Sequence, residues 1–496
     1  MLDRDESGVY PTITQRCQPG LFFPQGLTTS FASTEFDKTV SDFYLADPNV
    51  LSSLVDLYFS YVNNEILCIF PRNTFMAWLA KSIDIPLDTL LPLHAMIAVG
   101  SIFADEQHAA IGRFFADKAI RGSSCNTGRF TLSIVVTRLL LSLYNFAKGD
   151  EGAAWDYCTL ASRAVIALHY DTEEGCLSSH DQRDSTLDFG LTTQQLVECR
   201  RRACWTAFLM ERYAGLDTNM LCVITTARIH LRLPCAEELY ENGVPSTASF
   251  FDGGASNSAA VASATSTVLS PMAWLIMVGS IFENTMISIS RISDYPQSGF
   301  REAYAKSYDT ISTALCDWES LLPEHLRYSE ANLNHSIQDW YAGTFVSMHA
   351  LQQFVLMKLN HQTQQKLIPD LASRNTRTAR YHAHHLLGIM RALQSAWRDV
   401  DHLRPGQPER FSFSTPFAGY AILSAIEILS TSGPAITLAQ TWGSMLGGLA
   451  FVRELKPLWS PGLDKVAQGN STCSNTYHMT LHLLVTPPDS DNIWLI

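Results

Sequence analysis

The sequence is poor in the features that mark membrane proteins, secreted disulfide scaffolds and most enzyme families. No run reaches the roughly 18 uninterrupted apolar residues that a membrane span needs. MAWLIMVGSIF at 272–282 is too short, and Arg138 interrupts SIVVTRLLLSLYNF, so a soluble chain is expected. The opening MLDRDESGVYPT has mixed charge and no apolar signal core, so nothing directs the chain to an oxidising compartment and its 11 cysteines read as reduced thiols. They are scattered. The closest pair, Cys199 and Cys204, would lie five positions apart in an apolar helix, as small buried hydrophobes.

Basic charge is also scarce. With 35 Lys+Arg against 48 Asp+Glu, the formal net charge is −13, and the long-range field repels a phosphate backbone unless a local patch overrides it. Missing as well are the G-x-S-x-G elbow, the G-x-x-x-x-G-K-[ST] phosphate loop, G-x-G-x-x-G and H-E-x-x-H. No Asp-Asp-x-x-Asp run is present of the kind that lets all-α cyclases hold magnesium diphosphate.

What is present is a large apolar chain. At 496 residues, 46% hydrophobic and 17% charged, it can bury a sizeable core. From about residue 47 the apolar positions repeat with helical spacing: Leu51, Leu54, Val55, Tyr58 and Phe59 form one stripe, and Asp47-Pro48 supplies a cap and first-turn proline. Similar segments include LHAMIAVGSIFA, HAAIGRFFADKAIR, AAWDYCTLASRAVIALHY, PMAWLIMVGSIFENTMISISRI, WYAGTFVSMHALQQFVLMKLNHQ, TARYHAHHLLGIMRALQSAWRDV and AGYAILSAIEILS. Strand-type alternation does not separate them, and no fixed repeat length links them, so the expected fold is all-α and not a tandem solenoid. Two breaks read as flexible loops, a charged, turn-rich stretch at about 171–190 and a Ser/Ala/Thr/Gly-rich one at about 243–270. The expected organisation is a loosely ordered segment 1–46, a helical body 47–462 and a tail 463–496.

Candidate chemistry is thin. In YHAHH, His382 and His385 share a helix face while His384 points elsewhere; without a nearby Cys or acidic third ligand they read as surface or packing residues, and no metal is expected. Asp105, Glu106, Asp171, Glu173 and Glu174 are the acidic groups that an all-α enzyme of secondary metabolism could use for proton transfer, but helix ends and a loop favour solvated roles for them. No catalytic residue is assigned.

The densest feature is VECRRRACWTAFLMERYAGL at 197–216. On a helix, Arg201, Cys204, Trp205, Phe208, Arg212 and Leu216 fall on one face, and the opposite face is nearly as apolar, which describes a buried helix. A desolvated arginine without a partner is costly, so Arg201 and Arg212 should meet carboxylates or carbonyls on neighbouring helices. Glu198 already stands three and four positions from Arg201 and Arg202. Three successive helical residues spread over about 200° of the wheel, so Arg200, Arg201 and Arg202 cannot all reach one phosphate run.

These residues carry a family resemblance. ECRRRACWTAFLMERYAGL resembles the acidic-Arg-Arg-Arg-x-x-Trp-x-x-aromatic signature of the middle homology region of fungal zinc-cluster transcription factors, the fungal-specific transcription factor domain. The matching positions are Glu198, Arg200, Arg201, Arg202, Trp205, Phe208 and Arg212. YVNNEILCIFPRNTFMAWL, SRAVIALHYD and the stretch TNMLCVITTARIHLRLPCAEE with Ile229 to Pro234 are similar to further family segments, as are Trp318 with Leu321-Leu322-Pro323 and the His349 helix, so the likeness covers about 47–435. The resemblance implies a large multi-helix bundle, a regulator of transcription in the nucleus, and control of a metabolic or secondary-metabolite gene set.

In that family the DNA contacts come from an N-terminal cluster of six cysteines around two zinc ions. Before residue 47 only Cys17 is present and no Lys/Arg-rich run occurs, so no DNA-binding or zinc-binding positions carry over and zinc would belong to a missing cluster. Two expectations stand open: a domain-only regulator, or a reading frame that starts downstream of the cluster. The expected partners are other transcription regulators, as a homodimer or heterodimer, with DNA reached through a missing or partner-supplied cluster and a small-molecule effector as a further candidate. The alternative role is a non-DNA-binding modulator of a full-length zinc-cluster factor.

Overall fold

A computed structural model describes residues 48–451 apart from 64, 66, 82–86, 106–107, 126–127, 129, 179–188, 215–221, 252, 254–267, 294–296, 362–368, 402–415, 432–442 and 449. The expected loose N-terminal segment 1–46 and the tail 463–496 lie outside the described residues. By its contacts the chain divides into Met1–Val50 and Leu51–Ile496, and the described elements belong to the second unit apart from the first three residues of the opening helix.

The architecture is all-α. Among the described residues the only β-type pairings are isolated bridges, Thr172 with His230, Arg232 with Phe250 and Cys235 with Leu269. Helix α1 (Pro48–Tyr58) runs into a π-helical turn, Phe59–Asn63, with all five side chains buried. Asn63 explains how the chain leaves that turn: its Oδ1 accepts from the Ile69 and Phe70 amides (3.2 and 3.1 Å), and its Nδ2 donates to the Phe70 carbonyl (2.8 Å). One amide side chain thus replaces the strand that this extended stretch lacks.

Next come α2 (Arg72–Lys81), α3 (Leu87–Gly100), α4 (Ala109–Cys125), α5 (Leu132–Ala147) and α6 (Glu151–Ala167). The starts of α5 and α6 are set locally, by Thr131 accepting from the Ile134 amide and Asp150 from the Ala153 amide. A Cβ on Gly100 would collide with the Leu54 carbonyl, so the close crossing of α1 and α3 requires glycine there. Helices α3 to α6 pack on one another as the N-terminal half of the body.

After the short α7 (Glu173–Leu177) comes α8 (Thr193–Ala214), the arginine helix, then the short α9 (Glu237–Glu241). The C-terminal half comprises α10 (Pro271–Ser293), α11 (Gln297–Leu321), α12 (Glu330–Gln338), α13 (Ala342–His361), α14 (Pro369–Asp401) and α15 (Pro416–Thr431). Helix α13 is buried along nearly its whole length, packed against α10, α14 and α15. Helix α8 packs on α5, α6, α7, α9 and α10, and so joins the two halves.

Two sequence expectations need correction. Residues Pro271–Ile292 are long and apolar enough by composition to cross a membrane, because the span tolerates the few polar groups that break an uninterrupted run; 78% of its apolar 18-residue window is buried inside the protein, as in a core helix. The two segments expected as flexible loops are partly packed. Asp171–Ser178 forms a turn and α7, and Val244–Phe251 lies against α8 with Ala248 and Phe251 buried, while 179–188, 252 and 254–267 lie outside the described residues. In the first of them Asp171 and Glu173 are buried, and composition alone does not separate such internal carboxylates from solvated ones.

Candidate functional site

Helix α8 begins with a reciprocal cap. Thr192 Oγ1 accepts from the Gln195 amide (3.3 Å) and Gln195 Oε1 accepts from the Thr192 amide (3.0 Å). The free end of Gln195 donates to Thr74 Oγ1 (2.9 Å) and the Glu241 carbonyl (2.9 Å), tying this terminus to α2 and α9.

From there the helix is closed on every side. Arg200 is 8% exposed, Arg201 5%, Arg202 0% and Arg212 2%, so the whole triplet is internal even though its members point in different directions. Each finds its own partners. Arg200 donates to the Cys176 carbonyl at the end of α7 (2.9 Å). Arg201 makes a two-pronged ion pair with Glu173, Nε to Oε2 at 3.1 Å and Nη2 to Oε1, and adds Glu198 Oε2 at 2.9 Å. Arg202 donates to Glu198 Oε1 (3.1 Å), to the Cys235 carbonyl (2.5 Å), to Cys68 Sγ (2.7 Å) and to Glu237 Oε1 (3.3 Å), with its guanidinium over the Tyr240 ring. Arg212, three turns on, pairs with Glu283 of α10 (2.6 Å), donates to the Ile224 carbonyl (2.8 Å) and covers the Phe208 ring.

The expected pairing of Arg201 and Arg212 is thus realised, along with the local help from Glu198. Sequence reasoning missed that Arg202 is the most buried of the set, and it missed Cys68, Glu237 and Glu283, which are distant in sequence and carry no local signal. Glu173, by sequence a candidate proton-transfer group, is instead the second carboxylate of Arg201, and it also faces Arg232 Nε at 3.4 Å. Asp171 is buried as well, which corrects the solvated-loop expectation, whereas Glu174 and Asp105 are exposed and Glu106 lies outside the described residues.

The electrostatics follow from this closure. Burial alone would lower the pKa of Arg201 and Arg202, but the facing carboxylates and, for Arg202, Cys68 outweigh it and raise both above the ordinary guanidinium value. Burial pushes the thiols the other way from reactivity: Cys68, Cys199 and Cys235 are each raised to about 12. Such thiols stay protonated at neutral pH and are poor nucleophiles. Trp205, fully buried, donates to the Arg232 carbonyl (2.8 Å) and meets Phe208 and Phe251 edge-on, so the aromatic half of the signature fixes the 230–251 segment as the arginines fix α7 and α10.

The histidines of YHAHH come together with other groups but not with a ligand set. His382 Nδ1 lies 2.8 Å from Gln353 Oε1, and His385 stands edge-on to Tyr328 and Tyr381. Among the described residues no group of three His, Cys, Asp or Glu side chains has the geometry to hold a metal ion. What the arginine site can do is mechanical: it braces α7, α9 and α10 onto α8 through guanidinium groups closed off from solvent.

Residues 55–319 match the model of the fungal specific transcription factor domain. An uncharacterized transcriptional regulatory protein of Schizosaccharomyces pombe is 25% identical over 329 residues, covering 62% of this chain and 32% of the relative. A Zn(2)-C6 fungal-type transcription factor of Fusarium oxysporum f. sp. lycopersici is 24% identical over 348 residues, covering 66% and 35%. The chain therefore spans about a third of the length of the curated relatives it matches. No solved structure matches.

Proposed function

This chain belongs to the fungal specific transcription factor domain family, and on that premise we propose that it supplies the regulatory domain of a nuclear regulator of transcription that controls a metabolic or secondary-metabolite gene set. One observation carries the reading: the family match at residues 55–319 contains the whole braced arginine helix, whose guanidinium groups all meet internal partners. Arginines so enclosed cannot reach phosphate, so DNA is reached through a zinc cluster carried outside the matched region or by a partner.

The role is that of a domain that restrains or relays activity, through pairing with another regulator or a small-molecule effector, and not that of an enzyme. The high thiol pKa values and the internally paired Glu173 support the non-enzymatic reading. The same enclosed arginines favour, as second reading, a modulator that pairs with a full-length zinc-cluster factor and contributes no DNA contacts of its own.

The test is a reporter assay in which the full chain is tethered to a promoter by an unrelated DNA-binding domain, next to chromatin immunoprecipitation of the tagged chain in a fungal host. Changed reporter output and enrichment at promoters are expected. Unchanged output together with no promoter enrichment would overturn the proposal, and enrichment that vanishes when a zinc-cluster partner is deleted would select the second reading.

A further inference from the structure

The outward face of α14 is a strongly cationic helix face that the braced core does not use. The helix carries five arginines, three histidines and no lysine, its three carboxylates, Asp370, Asp399 and Asp401, stand at its two ends, and the chain as a whole has net charge −13. Its inward stripe, Ala379, Ala383, Leu386, Leu387, Met390 and Leu393, is fully buried against α13 and α15. The exposed positions recur opposite it: Arg374, Arg377, Tyr381, His385 and Arg391. At 100° per residue these fall within an arc of about 120°, and at 1.5 Å per residue they run along roughly 25 Å of helix.

The arginines on this face lack the partners that every arginine of α8 has. Among the described residues no carboxylate pairs with Arg374, Arg377 or Arg391; Arg391 meets only Ser444 Oγ at 3.4 Å. Arg380, at the edge of the arc, turns back to the Leu429 carbonyl (3.1 Å) and is not part of the face. In the middle stands Tyr381, 63% exposed, the most exposed large hydrophobic side chain among those described. Burial and then Arg380 and Arg391 push His384 below its ordinary value.

We propose that this face of α14 is a docking surface for an acidic, amphipathic peptide segment of a partner protein, its carboxylates on Arg374, Arg377 and Arg391 and its apolar side chains around Tyr381. Guanidinium forks match carboxylates two bonds at a time, and a tyrosine among them offers rigid apolar area, which a segment alternating acidic and apolar residues complements. A nucleic acid fits less well. The acidic chain repels a long phosphate run, and one short row of three arginines neutralises few phosphates. The proposal is independent of the regulatory reading above, because it concerns a binding property of the purified chain.

Fluorescence anisotropy of the full chain with a labelled synthetic peptide that alternates Asp and Glu with Leu and Phe tests it. Saturable, salt-sensitive binding is expected, weakened about tenfold or more by R374E/R377E/R391E and by exchanging the peptide's acids for Asn and Gln, with a smaller loss for Tyr381→Ala. Circular dichroism checks that the triple variant is folded; if it is not, R374A/R377A/R391A takes its place. No saturable binding by the parent chain, or equal affinity of parent and folded variant, overturns the proposal. So does duplex DNA that binds the parent and displaces the peptide through the same arginines.

Discussion

Helices α8 and α14 use the same side chain in opposite ways. In α8 four arginines are internal and each meets a carboxylate or a carbonyl, from Glu198 on the same helix and from Cys176, Glu173, Glu237, Ile224 and Glu283 brought from elsewhere. In α14 Arg374, Arg377 and Arg391 face outward and no carboxylate answers them among the described residues. The difference comes from the remaining positions. The apolar residues of α8 surround the helix, so every charge on it must be buried and compensated, whereas those of α14 form a single stripe and leave the other side to solvent. A run of arginines therefore says little about phosphate until the apolar pattern around it has been read.

Arg202 is where the contrast is most easily broken. Removing a fully buried guanidinium takes from Glu237 its arginine partner and leaves Glu198 with Arg201 as its one remaining arginine, and Arg202→Ala should cost about 3 to 5 kcal/mol, with Arg201→Ala and Arg212→Ala in the same range. Urea denaturation measures it. A midpoint equal to that of the parent chain would mean that α8 is not held by these charges. Glu198→Ala combined with Arg202→Ala should cost clearly less than the sum of the two single changes, since each has already broken the shared contact.

The fate of Arg201 and Arg212 was legible in the sequence, because an all-round apolar helix admits no unpaired charge and Glu198 stands at the right spacing. The all-α architecture was legible for the same kind of reason, through apolar stripes such as Leu54, Val55 and Tyr58. What the sequence hid was long-range. Cys68 and Glu237 reach Arg202 across 134 and 35 positions, and Glu283 reaches Arg212 across 71. Short helices such as α7 and α9 were also hidden, because five residues carry no usable period and their polar side chains look solvated. Glu173 shows the consequence, a carboxylate in a charged, turn-rich stretch that composition assigns to solvent and tertiary packing assigns to Arg201.

Acid sharpens the contrast between buried and outward polar groups. Burial lowers His349, on α13, and His382, on the flank of α14, to about 4, and His94 of α3 likewise. Their folded pKa lies below the unfolded value of about 6.5, so between the two the unfolded chain binds more protons. Stability is then fully present above about pH 6.5, falls as the pH drops toward 4, and levels off below it. Urea midpoints measured across this window should decline, and His349→Gln should make the decline shallower. A flat profile would mean that these rings are not held neutral.

Thiol labelling probes how closed α8 is under native conditions. Cys125 and Cys316 are exposed, whereas Cys199 and Cys204 of α8 are fully buried with raised pKa values. A neutral disulfide reagent should modify the first pair within the mixing time and leave the α8 thiols untouched until the chain unfolds. Fast labelling of Cys199 or Cys204 in native conditions would show that the brace opens locally.

The smallest effects belong to the outward arginines. Arg374→Ala and Arg377→Ala remove charges of the same kind as Arg202, but here the guanidinium keeps its water and has no internal carboxylate to strand. Each change should therefore alter stability by no more than about 0.5 kcal/mol, several times less than Arg202→Ala, in the same urea experiment. A loss comparable to that of Arg202→Ala would mean that α14 is held by a partner group on its outer side, and the two helices would no longer stand for different uses of arginine. If the stability is unchanged, nothing within the fold requires these arginines, and whatever role they have is toward a partner.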